Sequence, residues 1–229
     1  MGETVHIQIQ DDYFDAYLAR PATAAKGGIV VIQEIFGVND DIKETADWLA
    51  GEGYLALAPD LFWQQERNVC LNAQTDSDVD KAFALMTAYD GDAGIGDIQA
   101  AIDYLRAAGC AKVGTIGFCL GGRMVYLAAC RTNADAHASY YGVGIQDMLD
   151  EASKISAPTL LHIAEKDEFV PPAAQTAIAD GLAGHDAARV HIYEGQGHAF
   201  ARNHGMHYDA AAAELAHARS LALFAEYIG

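Results

Sequence analysis

The period of the hydrophobic positions changes along the chain, and each change marks an element. Val5 to Gln10 alternates apolar and polar residues, Asp11-Asp12 supplies a turn, and Phe14 to Ala19 continues as a second strand. Together they predict an edge hairpin. Gly28-Ile29-Val30-Val31-Ile32-Gln33 is a short unbroken apolar run, as expected of a strand buried on both faces. It leads into Glu34-Ile35-Phe36-Gly37, a loop at the sheet's carboxyl edge. Ile42, Ala46 and Leu49 then share one face of a helix that Asn39-Asp40-Asp41 caps and that Gly51 and Gly53 close. Tyr54 to Pro59 reads as the next strand and Asp60 to Ser77 as a polar loop long enough to cover a site. Helical periodicity returns from Val79 to Tyr89. It returns again through Ile98, Ile102 and Leu105 before Gly109, with the glycines of 91 to 96 expected between the two segments.

Lys112 to Ile116 has the β-branched content of a strand, and Arg123 to Cys130 the apolar, Ala-rich character of a buried helix. Strands follow around Ala138 to Tyr141 and at Thr159 to Ala164. Pro171-Pro172 opens a helix that closes near Gly184, Val190 to Tyr193 is the last strand, and a helix from about His207 to Ile228 ends the chain. Such alternation implies the α/β class, a mostly parallel central sheet with helices on both faces and ligands at the strands' carboxyl ends. No linker, charge block or repeat divides the 229 residues, so one domain is expected.

Composition narrows the partners. Lys and Arg total 14 against 32 Asp and Glu, a formal charge of -18, which argues against nucleic acid and anionic membrane surfaces. No apolar run is long enough to span a membrane. Met1-Gly2-Glu3-Thr4 lacks the basic region and apolar core of a signal peptide, and His6 breaks the myristoylation pattern. Cys70, Cys110, Cys119 and Cys130 read as free thiols of a cytoplasmic protein. A monomer acting on a small molecule is expected, with a dimer left open.

The candidate chemistry starts at Gly117-Phe118-Cys119-Leu120-Gly121, the nucleophile-elbow pattern with sulfur in place of the serine oxygen. A nucleophile at the apex of a strand-to-helix turn needs glycines two residues to either side so that strand and helix can approach. The turn also sets the thiol at a helix N-terminus, which favours thiolate. A base and a group to fix its tautomer should follow in the order acid, then histidine. Asp167 lies just beyond the strand ending at Ala164, and His198 just beyond the strand ending at Tyr193. Singly, Cys119 reads equally as a core thiol, Asp167 as a turn residue beside Glu165 and Glu168, and His198 as one of nine histidines. Three residues in the right order, each after its own strand, favour a Cys–His–Asp site. The spacing of His198, His204 and His207 invites a metal reading, but no H-E-x-x-H pattern accompanies it and no metal is expected.

Gln33 to Asn39, Gly117 to Gly122 and Gly197 to Arg202, with Tyr54 to Leu61 and Ala93 to Asp97, closely resemble the dienelactone hydrolase (carboxymethylenebutenolidase) family of the α/β-hydrolases. The likeness runs over nearly the whole chain. It implies the α/β-hydrolase fold and hydrolysis of an enol-lactone or related ester in the breakdown of aromatic compounds, with no cofactor. By resemblance Cys119, His198 and Asp167 form the triad, and the backbone N–H groups of Leu120 and Ile35 form the oxyanion hole. Glu34 receives the thiol proton and assists thiol activation. Arg202, Phe36, Tyr141, Phe83 and Met86 would bind substrate.

Departures from the family matter as much. Of the two arginines that hold the substrate carboxylate, one corresponds to Arg202 and the other falls at Val79. Phe83 and Met86 stand where the family has Tyr and Trp. Whether Lys81 or Arg67 replaces the lost arginine is open at this level. The expectation is a shift toward smaller or less anionic esters and lactones. A general carboxylesterase or thioesterase is the alternative, followed by a non-catalytic binder or thiol sensor.

Overall fold

The hairpin at the start of the chain is longer than its alternation suggests. In the computed structural model, which describes residues 2–203 and 205–229, β1 (Glu3–Ile9) and β2 (Asp12–Ala19) pair antiparallel with Ile7 opposite Phe14. Every residue of β3 (Gly28–Ile32) is buried. The helix α1 (Asp40–Gly51) starts as expected, with the Asn39 side chain accepting the Ile42 N–H at 3.2 Å. β4 (Leu55–Pro59) is also wholly buried.

The next stretch departs from expectation twice. The segment after β4 is not a polar cover throughout: Leu61 and Phe62 are buried, and the Asp60 carboxylate holds the N–H groups of Phe62 and Asn68 at 3.1 and 2.6 Å. It ends at Thr75, where α2 (Asp76–Ala88) begins. The glycines of 91 to 96 do not separate helices; they form the first turns of α3 (Gly91–Ala107). Asp90 caps that helix by accepting from Asp92 and Ala93 N–H, and a Cβ at position 94 would collide with the Tyr89 hydroxyl. Gly94 is there for packing, not to break the helix.

The second half follows the predicted alternation. It runs β5 (Val113–Phe118), α4 (Leu120–Arg131), β6 (Ala136–Tyr140), β7 (Thr159–Ala164), α5 (Pro172–Gly181), β8 (Ala188–Tyr193) and α6 (Ala210–Tyr227). One element was not foreseen, a 3-10 helix over Ile145–Lys154 seated by buried Ile145 and Ala152 and tied to α4 by the Arg131–Glu151 ion pair.

The eight strands make one sheet in the order β1-β2-β4-β3-β5-β6-β7-β8. β1 and β2 are the antiparallel edge, and from β4 to β8 every pairing is parallel. This is the α/β-hydrolase fold, with helices on both faces: α3 packs on α4, while α1 meets α6 where Trp48 and His217 lie 4.6 Å apart. Among the described residues no helix is long and apolar enough to cross a membrane. Parallel strands point their carboxyl ends the same way, so the turns after β3, β5, β7 and β8 gather at one edge of the sheet.

Candidate active site

Cys119 is the single residue between β5 and α4, with φ 56° and ψ −113°. Few L-residues adopt that conformation, and it is held because both neighbours at two residues' distance are glycine. A Cβ at position 117 would collide with the Gly121 carbonyl, and one at position 121 would press on the carbonyls of Ile32 and Gln33. The Cys119 N–H donates to Tyr140 O at 3.0 Å and its carbonyl accepts from Arg123 at 3.1 Å, which pins the turn on both sides. The Leu120 N–H, first in its helix, has no acceptor in the turn before it. The Ile35 N–H, in the turn after β3, donates to no backbone carbonyl among the described residues.

Asp167 and His198 come from the turns after β7 and β8. His198 Nδ1 and Asp167 Oδ2 are 2.8 Å apart, with side chains 7% and 0% exposed. The other Asp167 oxygen accepts the Phe169 N–H at 2.9 Å, so the carboxylate is fixed at both ends. Phe169 and Tyr141 close on the imidazole edge-on, at 4.8 and 5.1 Å between ring centroids. Burial pushes the His198 pKa down, but hydrogen bonds to Asp167 and to Cys119 override it and raise the pKa to about 10. The imidazolium is therefore favoured beside the sulfur. Sulfur, imidazole and carboxylate form one connected line.

Glu34 lies 3% exposed at the end of β3, and Arg202 Nε and Nη2 reach its Oε2 at 2.7 and 2.6 Å. Its Oε1 is buried with no hydrogen-bond partner among the described residues. Burial lowers the Arg202 pKa, but the charge of Glu34 outweighs it and the net direction is up. Tyr141 is held with its hydroxyl buried and unpartnered among the described residues, and burial, reinforced by Glu34, drives its pKa far above the usual phenol range.

Above Cys119 and His198 opens a cavity of about 320 Å³ with mostly apolar walls. Four of the five residues expected to bind substrate reach it: Arg202, Phe36, Phe83 and Met86. Tyr141 does not; it is 1% exposed and packs against His198 and Phe200, with φ 38° at this position. Val79 contributes an apolar wall where the second arginine was sought. Neither substitute reaches the cavity. Arg67 is tied to Asp12 and Tyr13 at the hairpin, and Lys81 pairs with Glu66 at 2.6 Å. Sequence reasoning missed Val143, Glu168, Phe169, Met206 and His207 on the walls. Proximity of Glu168 and Phe169 to Asp167 was the available signal; for Val143 and Met206 there was none. His207 Nδ1 bonds the His198 carbonyl at 3.0 Å. No group of three or more metal-ligating side chains occurs among the described residues, and His204 lies outside them.

The dienelactone hydrolase family model matches residues 14–228. A putative carboxymethylenebutenolidase of Azospirillum brasilense is 41% identical over 223 residues, 96% of each chain. The carboxymethylenebutenolidase of Pseudomonas putida is 39% identical over 224 residues, 96% of this chain and 95% of its own. Among solved structures, a putative dienelactone hydrolase from Klebsiella pneumoniae superposes with a TM-score of 0.87 at 29% identity over 99% of both chains.

Proposed function

From the premise that this chain belongs to the dienelactone hydrolase family and is a hydrolase, we propose that it cleaves an enol-lactone or related carboxylic ester through a thioester on Cys119. The observation that carries the reading is the connected line of Cys119, His198 and Asp167 at the floor of an apolar cavity.

With Nδ1 of His198 turned to Asp167, the other ring nitrogen serves the sulfur. The Cys119 thiolate attacks the carbonyl carbon, and the charge on the carbonyl oxygen is met by the N–H groups of Leu120 and Ile35. Donors of this kind typically contribute about 3 kcal/mol each to the transition state. Collapse of the tetrahedral adduct breaks the ring C–O bond, and the departing enolate takes the proton from His198. Neutral His198 then draws a proton from water, whose oxygen attacks the thioester; collapse releases the acid and restores the thiolate–imidazolium pair. Asp167 keeps the imidazole in one tautomer throughout. The thiolate–imidazolium pair forms as the Cys119 proton passes to His198 directly or by way of Glu34, which ends ionised against Arg202. The support for the route through Glu34 is that residue's buried, unpartnered Oε1.

The cavity's character bears on substrate. Arg202 already faces Glu34, and Val79 offers no second cation. A charge-assisted hydrogen bond is worth about 1.5–3 kcal/mol, so a carboxylate substrate loses about tenfold or more in affinity relative to a site with both arginines. We therefore expect an uncharged aryl ester to be hydrolysed with kcat/KM at least equal to that of a carboxylated dienelactone. Both activities should vanish in Cys119→Ala. Steady-state assays of the pair decide it, and a strong preference for the carboxylated lactone would contradict the substrate assignment. The predominantly apolar lining also favours a second reading, a general small-ester carboxylesterase or thioesterase using the same three residues.

A further inference from the structure

We propose that Glu168 is a specificity-determining residue that makes the cavity prefer a positively charged substrate group at its mouth over a neutral one, and a neutral one over a carboxylate. The inference rests on the esterase reading and specifies its substrate class.

Among the described residues the charged groups lining the cavity are few: Glu168, Arg202, and the two histidines His198 and His207. The guanidinium of Arg202 is cancelled by Glu34 at 2.6 Å. The imidazolium of His198 is cancelled by the sulfur beside it in the proposed resting state. His207 turns its Nδ1 to the His198 carbonyl at 3.0 Å. Glu168 makes no hydrogen bond or ion pair with any described residue, so its carboxylate is the charge left over.

Its backbone is held while its side chain is exposed. Asp167 takes the Phe169 N–H at 2.9 Å, which locks the turn on whose shoulder Glu168 stands. Next to it are two half-exposed rings, Phe169 and Phe83, tilted at 44° with centroids 6.4 Å apart across the mouth. A carboxylate beside aromatic faces suits an alkylammonium group, which each face attracts through its quadrupole and the carboxylate through its charge. An adjoining cavity of about 790 Å³ shares Ala73, Arg202 and Met206 with the first and carries Asp40, Asp41, Glu44 and Asp78, so the surrounding field has the same sign.

The test uses three nitrophenyl esters whose acyl chains end in trimethylammonium, tert-butyl or carboxylate groups, with kcat/KM measured at low ionic strength. The expected order is trimethylammonium, tert-butyl, carboxylate, with about three- to tenfold between neighbours and the difference residing in KM. In Glu168→Gln the ratio of trimethylammonium to tert-butyl turnover falls toward one, in Glu168→Lys it inverts, and in Glu168→Asp it persists. Added salt should narrow it. Equal ratios in the unmodified enzyme and Glu168→Gln would overturn the proposal, as would a Glu168→Gln variant that lowers kcat alike for all three. Were none of the esters hydrolysed, the esterase reading would fall by itself. Calorimetric binding of the three to Cys119→Ala would then still report the charge order, and no difference between them would sink this inference.

Discussion

An L-residue holds φ 56° and ψ −113° only under compulsion, and at Cys119 the compulsion is local: a strand, a helix and two glycines leave the backbone no alternative. The side chain so presented acts on His198. Because the hydrogen bond to Cys119 is one of the two that lift the imidazole toward 10, deleting the thiol removes a partner that stabilises the charged ring. In Cys119→Ala the His198 titration should therefore move to lower pH, read from its ring proton shifts by NMR. An unmoved or raised titration would mean that sulfur and imidazole are not in contact. All three members of this line were legible in the sequence because each follows a strand directly, and a parallel sheet brings such positions to one edge. Tyr141 follows a strand as well, yet it points inward. A positive φ at a tyrosine leaves no mark in the residue pattern, so its burial was not legible there.

At the scale of elements, the approach of α4 to β3 and β5 is set by glycine at position 121, where a methyl group would meet two backbone carbonyls that cannot retreat. Gly121→Ala should cost stability of about 2 kcal/mol or more and abolish activity, since overpacking against backbone has no flexible side chain to absorb it. Gly96, exposed within α3 with nothing near its Cβ position, is the contrast. Gly96→Ala should raise stability by about 0.5–1 kcal/mol. Urea unfolding of the two variants checks both signs, and a stable, active Gly121→Ala would refute the packing argument. The same two glycines show where element reading succeeds and fails. The elbow could be read because its glycines recur at fixed offsets about a nucleophile. The run from Gly91 to Gly96 was misread as a break because glycine composition alone does not distinguish a turn from a close approach, here Gly94 to Tyr89. The 3-10 helix Ile145–Lys154 escaped notice because it is seated by a distant ion pair to α4 and by only two buried apolar side chains.

The molecule as a whole buries carboxylates away from its active site. Asp97 on α3 accepts from Trp63 Nε1 at 2.9 Å, but its Oδ1 has no partner among the described residues. Burial, against the opposing Trp63 hydrogen bond and with help from Asp60, raises its pKa to about 6. Between about pH 4 and 6 the folded state keeps this proton while the unfolded chain releases it, so stability falls as pH rises through that window. Above it, a cost of about 3 kcal/mol remains. Asp97→Asn retains an acceptor for Trp63 and cannot ionise. Its melting temperature should exceed that of the unmodified protein at pH 8, with the gain fading below about pH 4; a gain independent of pH would contradict the assignment. Global charge and the alternating strands and helices were readable from composition and period, whereas a buried acid is not, since nothing in the chain near Asp97 distinguishes it from the exposed Asp92 and Asp103. The central claim concerns the bond formed at the sulfur. Acid-quenching the enzyme during turnover of an aryl ester and mapping its peptides by mass spectrometry should find the acyl group on Cys119, and no acylated peptide in Cys119→Ala, which should also be inactive. An acyl group on another residue, or undiminished turnover in that variant, would contradict the account.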